Sequence, residues 1–270
     1  MIYRKEKSLL ITNLLEQRSF YGRYTELSNN LLGCRIMPIA QEDGFFQWHD
    51  SRHGPRLGIE SSRLNECIER VKSKRIMGVF GSPSFGFDNS DLDFLSEIPW
   101  VEDIWLWDVN LKSIVGLYAL QNLKYLGVEP KRPPIDFSRL ARLREVVIEP
   151  KTKDCGLGAL KELERLHIWH FRPKNNVFSS FDFPESLTEL QINWASPESL
   201  ESLPALPLLR RLEIHRCRNL QRLGDLSTKF PGLEHLVIDA CGQVPISEGE
   251  RVIQDLRNLT HAYVQNIKLV

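Results

Sequence analysis

The chain has 270 residues, and its 35 Lys and Arg residues balance 35 Asp and Glu residues, so its formal net charge is zero. Nucleic-acid partners and anionic membrane surfaces usually demand a basic excess, so we expect neither a nucleic acid nor a membrane as partner. An apolar content of 42% and a charged content of 26% are ordinary for a folded, water-soluble protein.

The first thirty residues are polar and mixed, and they favour one amphipathic helix over residues 8–18, with Leu10, Leu14 and Leu15 on one side. The apolar run within it is short and interrupted by Thr12 and Asn13, and no small-residue cleavage site follows. We therefore expect no signal peptide. No run approaches the roughly 18 apolar residues of a membrane span.

Five cysteines occur, an odd number, and no two have the C-x-x-C spacing of a metal or redox motif: Cys34, Cys67, Cys155, Cys217 and Cys241. This usage indicates buried free thiols in a reducing compartment. The expected localisation is cytoplasmic.

Residues 31–60 predict three strands at Cys34–Ile39, Phe45–Trp48 and Arg56–Ile59, with a turn at 42–44 and a loop at 49–55. The gap between the first two strands is short enough for a hairpin. Repeat arrays need atypical end units to cover their core. We therefore predict an N-terminal, strand-containing cap over residues 1–55 and a repeat region over residues 56–270.

The repeat is clearest in Leu209-Arg-Arg-Leu212-Glu-Ile214-His-Arg-Cys217, which recurs as Leu233-Glu-His-Leu236-Val-Ile238-Asp-Ala-Cys241. One or two faint copies of the repeat occur around residues 57–59 and 77–79, and the segment between them has apolar residues at helical spacing. A Gly-, Pro- and Ser-rich loop follows at 80–90. Eight copies follow from residue 92 onward. Their aligned second apolar positions lie 20–26 residues apart, at Ile104, Leu126, Val146, Leu166, Leu190, Leu212, Leu236 and Ala262.

This pattern, L-x-x-L-x-L-x-x-N/C, resembles the leucine-rich repeat superfamily over at least residues 92–270, with short, irregular repeats of the bacterial and plant kind. The resemblance implies an α/β solenoid, a horseshoe whose parallel β-sheet lines the concave side and whose short helices or turns cover the convex side. The family's asparagine ladder is missing, because Cys217 and Cys241 occupy that position with other non-asparagine residues. We expect apolar packing to hold the repeats together.

Strand alternation sends the residues between the leucines to the concave face. Aromatic, His and Arg side chains gather there, as they do in protein-binding hot spots. The predicted partner-binding residues are Trp105, Trp107, His167, Trp169, His170, Trp194, Arg211, Glu213, His215, Arg216, Asp239 and Tyr263. An alternative stays open for Trp105 and Trp107, which the loop at 80–90 could cover. Early repeats are acidic and a later one is basic, so this face is expected to orient a partner.

We find no pattern typical of an enzyme, a metal site or a cofactor site. His167-x-x-His170 would place its two imidazoles on opposite sides of a strand, and His49 and His53 share a loop without further ligands. Gly78–Gly81 and Gly156–Gly158 lack the residues of a phosphate loop.

The sequence therefore predicts a non-catalytic module that binds another protein through its concave face and is a monomer when free. Within that class, an inhibitor or immunity-type protein that occludes a toxin or enzyme is the sharper hypothesis. The alternative is a secreted or host-directed effector, or a protein with an activity in its N-terminal 90 residues. Deleting residues 1–55 separates the two hypotheses, because loss of a cap unfolds a solenoid whereas loss of an independent active domain does not.

Overall fold

A computed structural model describes residues 39–50 and 53–270, all within one compact unit, Ile39–Val270. The predicted helix at 8–18 and residues 34–38 of the first predicted strand lie outside the described residues. Within the described residues, no helix is both long enough and apolar enough to cross a lipid bilayer.

The described residues form a single open sheet of 13 strands whose spatial order is their order in the chain. The strands are β1 (Ile39–Glu42), β2 (Phe45–Asp50), β3 (Gly54–Gly58), β4 (Gly78–Gly81), β5 (Asp103–Asn110), β6 (Tyr125–Lys131), β7 (Glu145–Ile148), β8 (Arg165–Trp169), β9 (Glu189–Asn193), β10 (Arg211–His215), β11 (His235–Asp239), β12 (His261–Val264) and β13 (Ile267–Lys268). Strands β3 to β12 pair in parallel, as expected for a repeat array.

The first three strands pair antiparallel, which confirms the predicted hairpin. Its two-residue turn, Asp43 and Gly44, has positive φ at both positions, the geometry that matches the twist of a tight hairpin. Strand β2 runs to Asp50 and β3 begins at Gly54, so the predicted loop at 49–55 is shorter than expected. Strand β3 crosses the predicted boundary between residues 55 and 56, and that domain division stays a prediction.

Short helices and turns connect the strands on the side that carries the leucines. The α-helices are α1 (Leu64–Lys74), α2 (Leu226–Lys229) and α3 (Ile246–Ile253), and the 3₁₀ helices are Ser61–Arg63, Pro83–Phe85, Asp93–Glu97, Val115–Ala119, Phe137–Arg139, Phe178–Ser180 and Leu200–Ser202. Helix α1 confirms the predicted helical spacing, since Cys67, Ile68 and Val71 are all buried.

Each repeat aligns its apolar residues with those of its neighbours. Leu212 lies opposite Leu190 on one side and Leu236 on the other, and all three are fully buried. A continuous apolar core therefore runs along the sheet from β3 to the last repeat. Because parallel strands and short connections repeat in register around this core, the α/β solenoid of leucine-rich repeat type is confirmed.

In the two clearest repeats the ladder position is occupied by buried cysteines, Cys217 and Cys241. The Cys217 sulfur accepts a hydrogen bond from the Ala195 N–H at 3.3 Å, and the Cys241 thiol donates to the Ile214 carbonyl at 3.6 Å. Burial and the neighbouring Cys241 thiol raise the pKa of the Cys217 thiol. These two cysteines are therefore structural members of the core, where a small, weakly polar side chain suits a mostly apolar spine.

Candidate functional site

The candidate site is the sheet face that points away from the leucines, which we call the open face. It carries three rows of side chains across β5 to β12. The first row is Asp103, Tyr125, Glu145, Arg165, Glu189, Arg211, His235 and His261; the second is Trp105, Gly127, Val147, His167, Gln191, Glu213, Val237 and Tyr263; the third, at the strand ends, is Trp107, Glu129, Glu149, Trp169, Asn193, His215, Asp239 and Gln265. Strand alternation places them on one surface, as predicted.

The N-terminal third of this face is occupied by an apolar cluster of its own. Phe80, Phe85, Trp105, Tyr125 and Val147 are buried in it, and Ile39, Phe46, Trp48, Trp107 and Trp169 pack around them. Trp105 stacks on Tyr125 at 5.1 Å and meets the Trp48 ring of the hairpin edge-on at 5.4 Å. A Cβ atom at Gly127 would lie 2.8 Å from the Trp105 ring, so glycine at that position lets the indole lie over β6.

Trp105 is 4% exposed, which corrects its prediction as a partner-binding residue. The alternative that the chain itself covers this ring holds for Trp105, and its ring contacts are with Trp48 of the hairpin and Tyr125 of β6. Trp107 is half-buried: it stacks on Phe80 at 5.6 Å and meets Phe85, in the predicted covering loop, at 5.9 Å.

A buried charge anchors this apolar cluster. The Arg56 side chain is fully buried, donates from Nε to Asp103 Oδ2 at 2.6 Å, and places its guanidinium 4.4 Å from the Trp48 ring centroid. Because an unpaired buried charge costs several kcal/mol, the Asp103 contact is needed to keep Arg56 in place. Sequence periodicity gave no signal for this pair, whose members lie 47 residues apart.

The middle of the open face carries three rings in mutual contact, Trp169, His170 and Trp194, which we call the aromatic anchor. The two indoles lie 5.3 Å apart, and the His170 ring lies 5.3 Å from Trp194 and 6.4 Å from Trp169. The Arg216 guanidinium lies 5.3 Å from the Trp194 ring. His170 is exposed and both indoles are half-buried.

His170 and Trp194 both follow the end of a strand and have positive φ, 52° and 53°. Strand alternation therefore ends before these two residues. The prediction that His167 and His170 lie on opposite sides of a strand assumed that His170 is part of the strand, and that assumption is wrong. A bulky residue with positive φ is an outlier whose cost other interactions must offset. Here the ring contacts of the aromatic anchor supply such interactions.

The C-terminal third of the face is polar, with a nearly buried carboxylate at its centre. Glu213 accepts from Arg211 Nη1 at 2.8 Å, and His215 Nε2 and His235 Nε2 lie 3.2 Å and 3.4 Å from its oxygens. The His235 ring stacks on His261 at 4.3 Å with an interplanar angle of 9°. Burial lowers the pKa of His261, and the neighbouring His235 and Lys268 add to this effect.

The sequence analysis missed His235 and His261. They occupy the position before the first internal apolar residue of the strand, from which only Arg211 was predicted. The signal that could have found them is the same two-residue alternation, extended one step toward the start of the strand.

In the third row, the acidic residues Glu129 and Glu149 lie between Trp107 and Trp169, both of which pack against the apolar cluster. Burial, together with the nearby charges of Asp108 and Glu149, raises the pKa of Glu129 to about 7. Burial also acts to raise the pKa of Glu145, but a hydrogen bond from His53 and the charges of His167 and Arg165 outweigh it and hold that pKa at about 2. Arg165 Nε lies 2.6 Å from Glu145.

The predicted partner-binding residues are distributed as follows. Trp105 and Glu213 are buried, His170 and Arg211 are exposed, and half-buried are Trp107, His167, Trp169, Trp194, His215, Arg216, Asp239 and Tyr263. Trp105 and Trp107 belong to the apolar cluster, and the other predicted residues lie mainly in two groups, the aromatic anchor and the polar C-terminal third. Across residues 39–50 and 53–270, no group of three His, Cys, Asp or Glu side chains is arranged to hold a metal ion.

No protein-family model matches this chain, and no curated protein sequence matches it. Among solved structures, the chain is similar to an internalin from Listeria monocytogenes, with 16% sequence identity and a TM-score of 0.44, over 77% of this chain and 71% of that one. At this distance the likeness says nothing of what the chain binds, and the repeat architecture stands on the chain's own strand order and register.

Proposed function

We propose that this protein is a non-catalytic module that binds another protein through the open face, with the aromatic anchor at the centre of the interface. The observation that carries the proposal is the contact of Trp169, His170 and Trp194, two of them held at positive φ where a repeat needs only a turn residue. Tryptophan and arginine are the side chains most enriched in binding hot spots.

The dimensions of the face suit a protein partner. Eight parallel strands at about 4.8 Å spacing, each contributing roughly 18 Å of length, give a surface on the order of 600 Å². A standard protein interface buries about 800 Å² on each side. The polar residues around the aromatic anchor, such as Arg211 and Asp239, supply the hydrophilic rim that such interfaces have.

Within that class we propose an inhibitor or immunity-type protein that covers a toxin or enzyme. The described unit consists of the repeat sheet and its short connections, so covering a partner's surface is the action that its architecture supports. We further propose that it is cytoplasmic and monomeric when free. Free cysteines at 67, 217 and 241, buried within the core, support a reducing compartment.

The test is affinity capture from native cells with three baits, followed by quantitative mass spectrometry. The baits are the wild-type protein, Trp169→Ala with Trp194→Ala, and a control with Val115→Ala and Leu208→Ala. The control residues are exposed apolar side chains outside the open face. We expect one partner to be retained by the wild type and the control and lost from the tryptophan variant. Equal retention by all three baits would exclude the aromatic anchor as the binding site.

A further inference from the structure

Four ionisable basic side chains lie on consecutive strands at the C-terminal end of the open face: Arg211 on β10, His235 on β11, His261 on β12 and Lys268 on β13. We call them the basic stripe. The first three are direct register partners, and Lys268 pairs with Tyr263, two residues after His261. At about 4.8 Å between strands, the stripe extends roughly 14 Å.

The carboxylate that partly balances the stripe faces inward. Glu213 has 8% of its side chain exposed and contacts Arg211, His215 and His235, whereas 44% of the Arg211 side chain is exposed. Lys268 is also exposed. The most exposed charges of the stripe, those of Arg211 and Lys268, are therefore positive, and the half-buried Glu189 lies beside Arg211.

Every charged or titratable group on the packed strands can be placed. Strand β9 contributes Glu189 beside Arg211, β10 contributes Glu213 and His215, β11 contributes Asp239, β12 contributes Tyr263, and β13 contributes Lys268. Asp239 lies 3.7 Å from His215 Nδ1, on the third row rather than the first. Among these groups, the first-row carboxylate is Glu189, which is the register partner of Arg211 and is not paired with His235 or His261.

The stacked imidazoles make the stripe sensitive to pH. Two positive charges on parallel rings 4.3 Å apart would repel, so double protonation of the pair is disfavoured in the free protein. Arg211 and Lys268 add to the burial that already favours neutral His261. A ligand carboxylate placed over the pair would reverse this balance and favour protonation of both rings.

We propose that the basic stripe binds an acidic segment of the partner protein, and that acidification strengthens this contact by charging His235 and His261. The proposal rests on the proposed function and names the chemistry of the partner. At neutral pH, Arg211 and Lys268 supply the attraction. Protonation of the imidazole pair, which a ligand carboxylate favours, adds to this attraction.

The test uses a fluorescein-labelled octapeptide of alternating aspartate and glycine, its asparagine analogue, and a pentathymidylate, whose four phosphodiesters match the four aspartates in charge. Binding to the full chain is measured at about pH 5.5 and about pH 7.5, where free aspartate is ionised throughout. We expect the aspartate peptide to bind roughly tenfold more tightly than the asparagine analogue, and roughly tenfold more tightly at the lower pH. Equal binding of the two peptides, or preference for the oligonucleotide, would overturn the proposal.

Two variants separate the contributions. His235→Gln with His261→Gln should abolish the pH dependence, and Arg211→Gln with Lys268→Gln should weaken binding at both pH values. Lys153→Gln with Lys161→Gln, exposed lysines outside the stripe, serves as the charge-matched control and should bind as the wild type does. Unchanged pH dependence in the histidine variant would contradict the proposal.

A readout on the wild-type chain covers the case in which a variant does not fold. The histidine Cε1 proton resonances, followed by NMR with and without the aspartate peptide, should show the pKa of His261 rising on binding; an unchanged pKa counts against the stripe. None of these measurements needs the native partner. If partner capture depends on Trp169 and Trp194 but the aspartate peptide does not bind, the proposed function is supported and the binding of an acidic segment by the basic stripe is excluded.

Discussion

The residue that follows each repeat strand has a left-handed backbone in most repeats, and none of these residues is glycine. His170, Trp194, Arg216, Ala240 and Gln265 have φ between 51° and 56°. This conformation costs an L-residue roughly 1–2 kcal/mol, which glycine avoids. At Trp194, ring contacts of the side chain offset the free-energy cost of the left-handed backbone. Ala240 is exposed, and among the described residues its methyl group makes no ring contact that could offset this cost.

We therefore predict that Ala240→Gly stabilises the protein by about 0.5–1 kcal/mol, the relief of strain less the larger entropy of an unfolded glycine. Urea unfolding measures the free energy difference. Ala141→Gly, at an exposed turn residue without positive φ, is the control and should be neutral or destabilising. If both substitutions destabilised equally, the strain assigned to position 240 would be absent.

Glu129 makes stability depend on pH in the opposite sense from an ordinary carboxylate. Its pKa is raised from 4.5 to about 7 by burial and by Asp108 and Glu149, so the folded state holds a proton that the unfolded state releases. The associated stability is fully present below about pH 4.5 and is lost as the pH rises through about 7.

Glu129→Gln, which stays neutral, should thus be more stable than the wild type by about 1–3 kcal/mol above about pH 8, and nearly equal to it near pH 4.5. Thermal or urea unfolding across this pH range gives the difference. Glu250→Gln, an exposed carboxylate on α3, should change stability by less than about 0.5 kcal/mol at any of these pH values. A constant difference between Glu129→Gln and the wild type would mean that Glu129 does not titrate in this range.

Sequence reasoning placed most open-face residues correctly but not their burial. Alternation alone puts Trp105, Glu213 and Trp169 on one face, since it depends only on neighbouring residues in a strand. It does not distinguish a tryptophan covered by Trp48 from one in contact with solvent, because that cover comes from a residue 57 positions away (105 minus 48).

At the scale of elements, the N-terminal hairpin β1–β2 both extends the sheet and covers part of its open face. Trp48 meets Phe80, Trp105 and Trp107 at 6.0, 5.4 and 5.8 Å. The hairpin therefore closes the apolar cluster in the way that a cap closes a repeat core. Described residues of the N-terminal 90 belong to β1–β4 and α1 of the same unit, which favours a structural role for them.

Trp48→Ala should remove this cover and destabilise the protein by about 2–3 kcal/mol. Because Trp48 is half-buried, this loss is smaller than the loss expected for removal of a fully buried tryptophan. Gln47→Ala, on the same strand with its side chain on the other face, is the matched control and should cost less than about 0.5 kcal/mol. Both values come from urea unfolding. A Trp48→Ala protein as stable as the control would show that the hairpin does not hold the apolar cluster together.

For the molecule as a whole, the sequence predicted the solenoid because its information is local and repeated. Each repeat has the same alternation of apolar and polar residues. The packing of Leu212 between Leu190 and Leu236 follows from the spacing of the repeats. The apolar cluster, the Arg56–Asp103 pair and the stacked His235 and His261 arise from contacts between strands, which a periodicity search along one strand does not register. The predicted site residues consequently lie mostly on the one face that strand alternation indicated, and only the structure divides them into separate groups.

The central claim is that the aromatic anchor is the energetic centre of a protein interface. The most direct test is the dissociation constant of the captured partner for the wild-type protein and for the Trp169→Ala, Trp194→Ala double variant, measured by calorimetry on folded samples. The account predicts a loss of more than about 2 kcal/mol, roughly a 30-fold weaker complex. A double variant that folds and binds with wild-type affinity would contradict it.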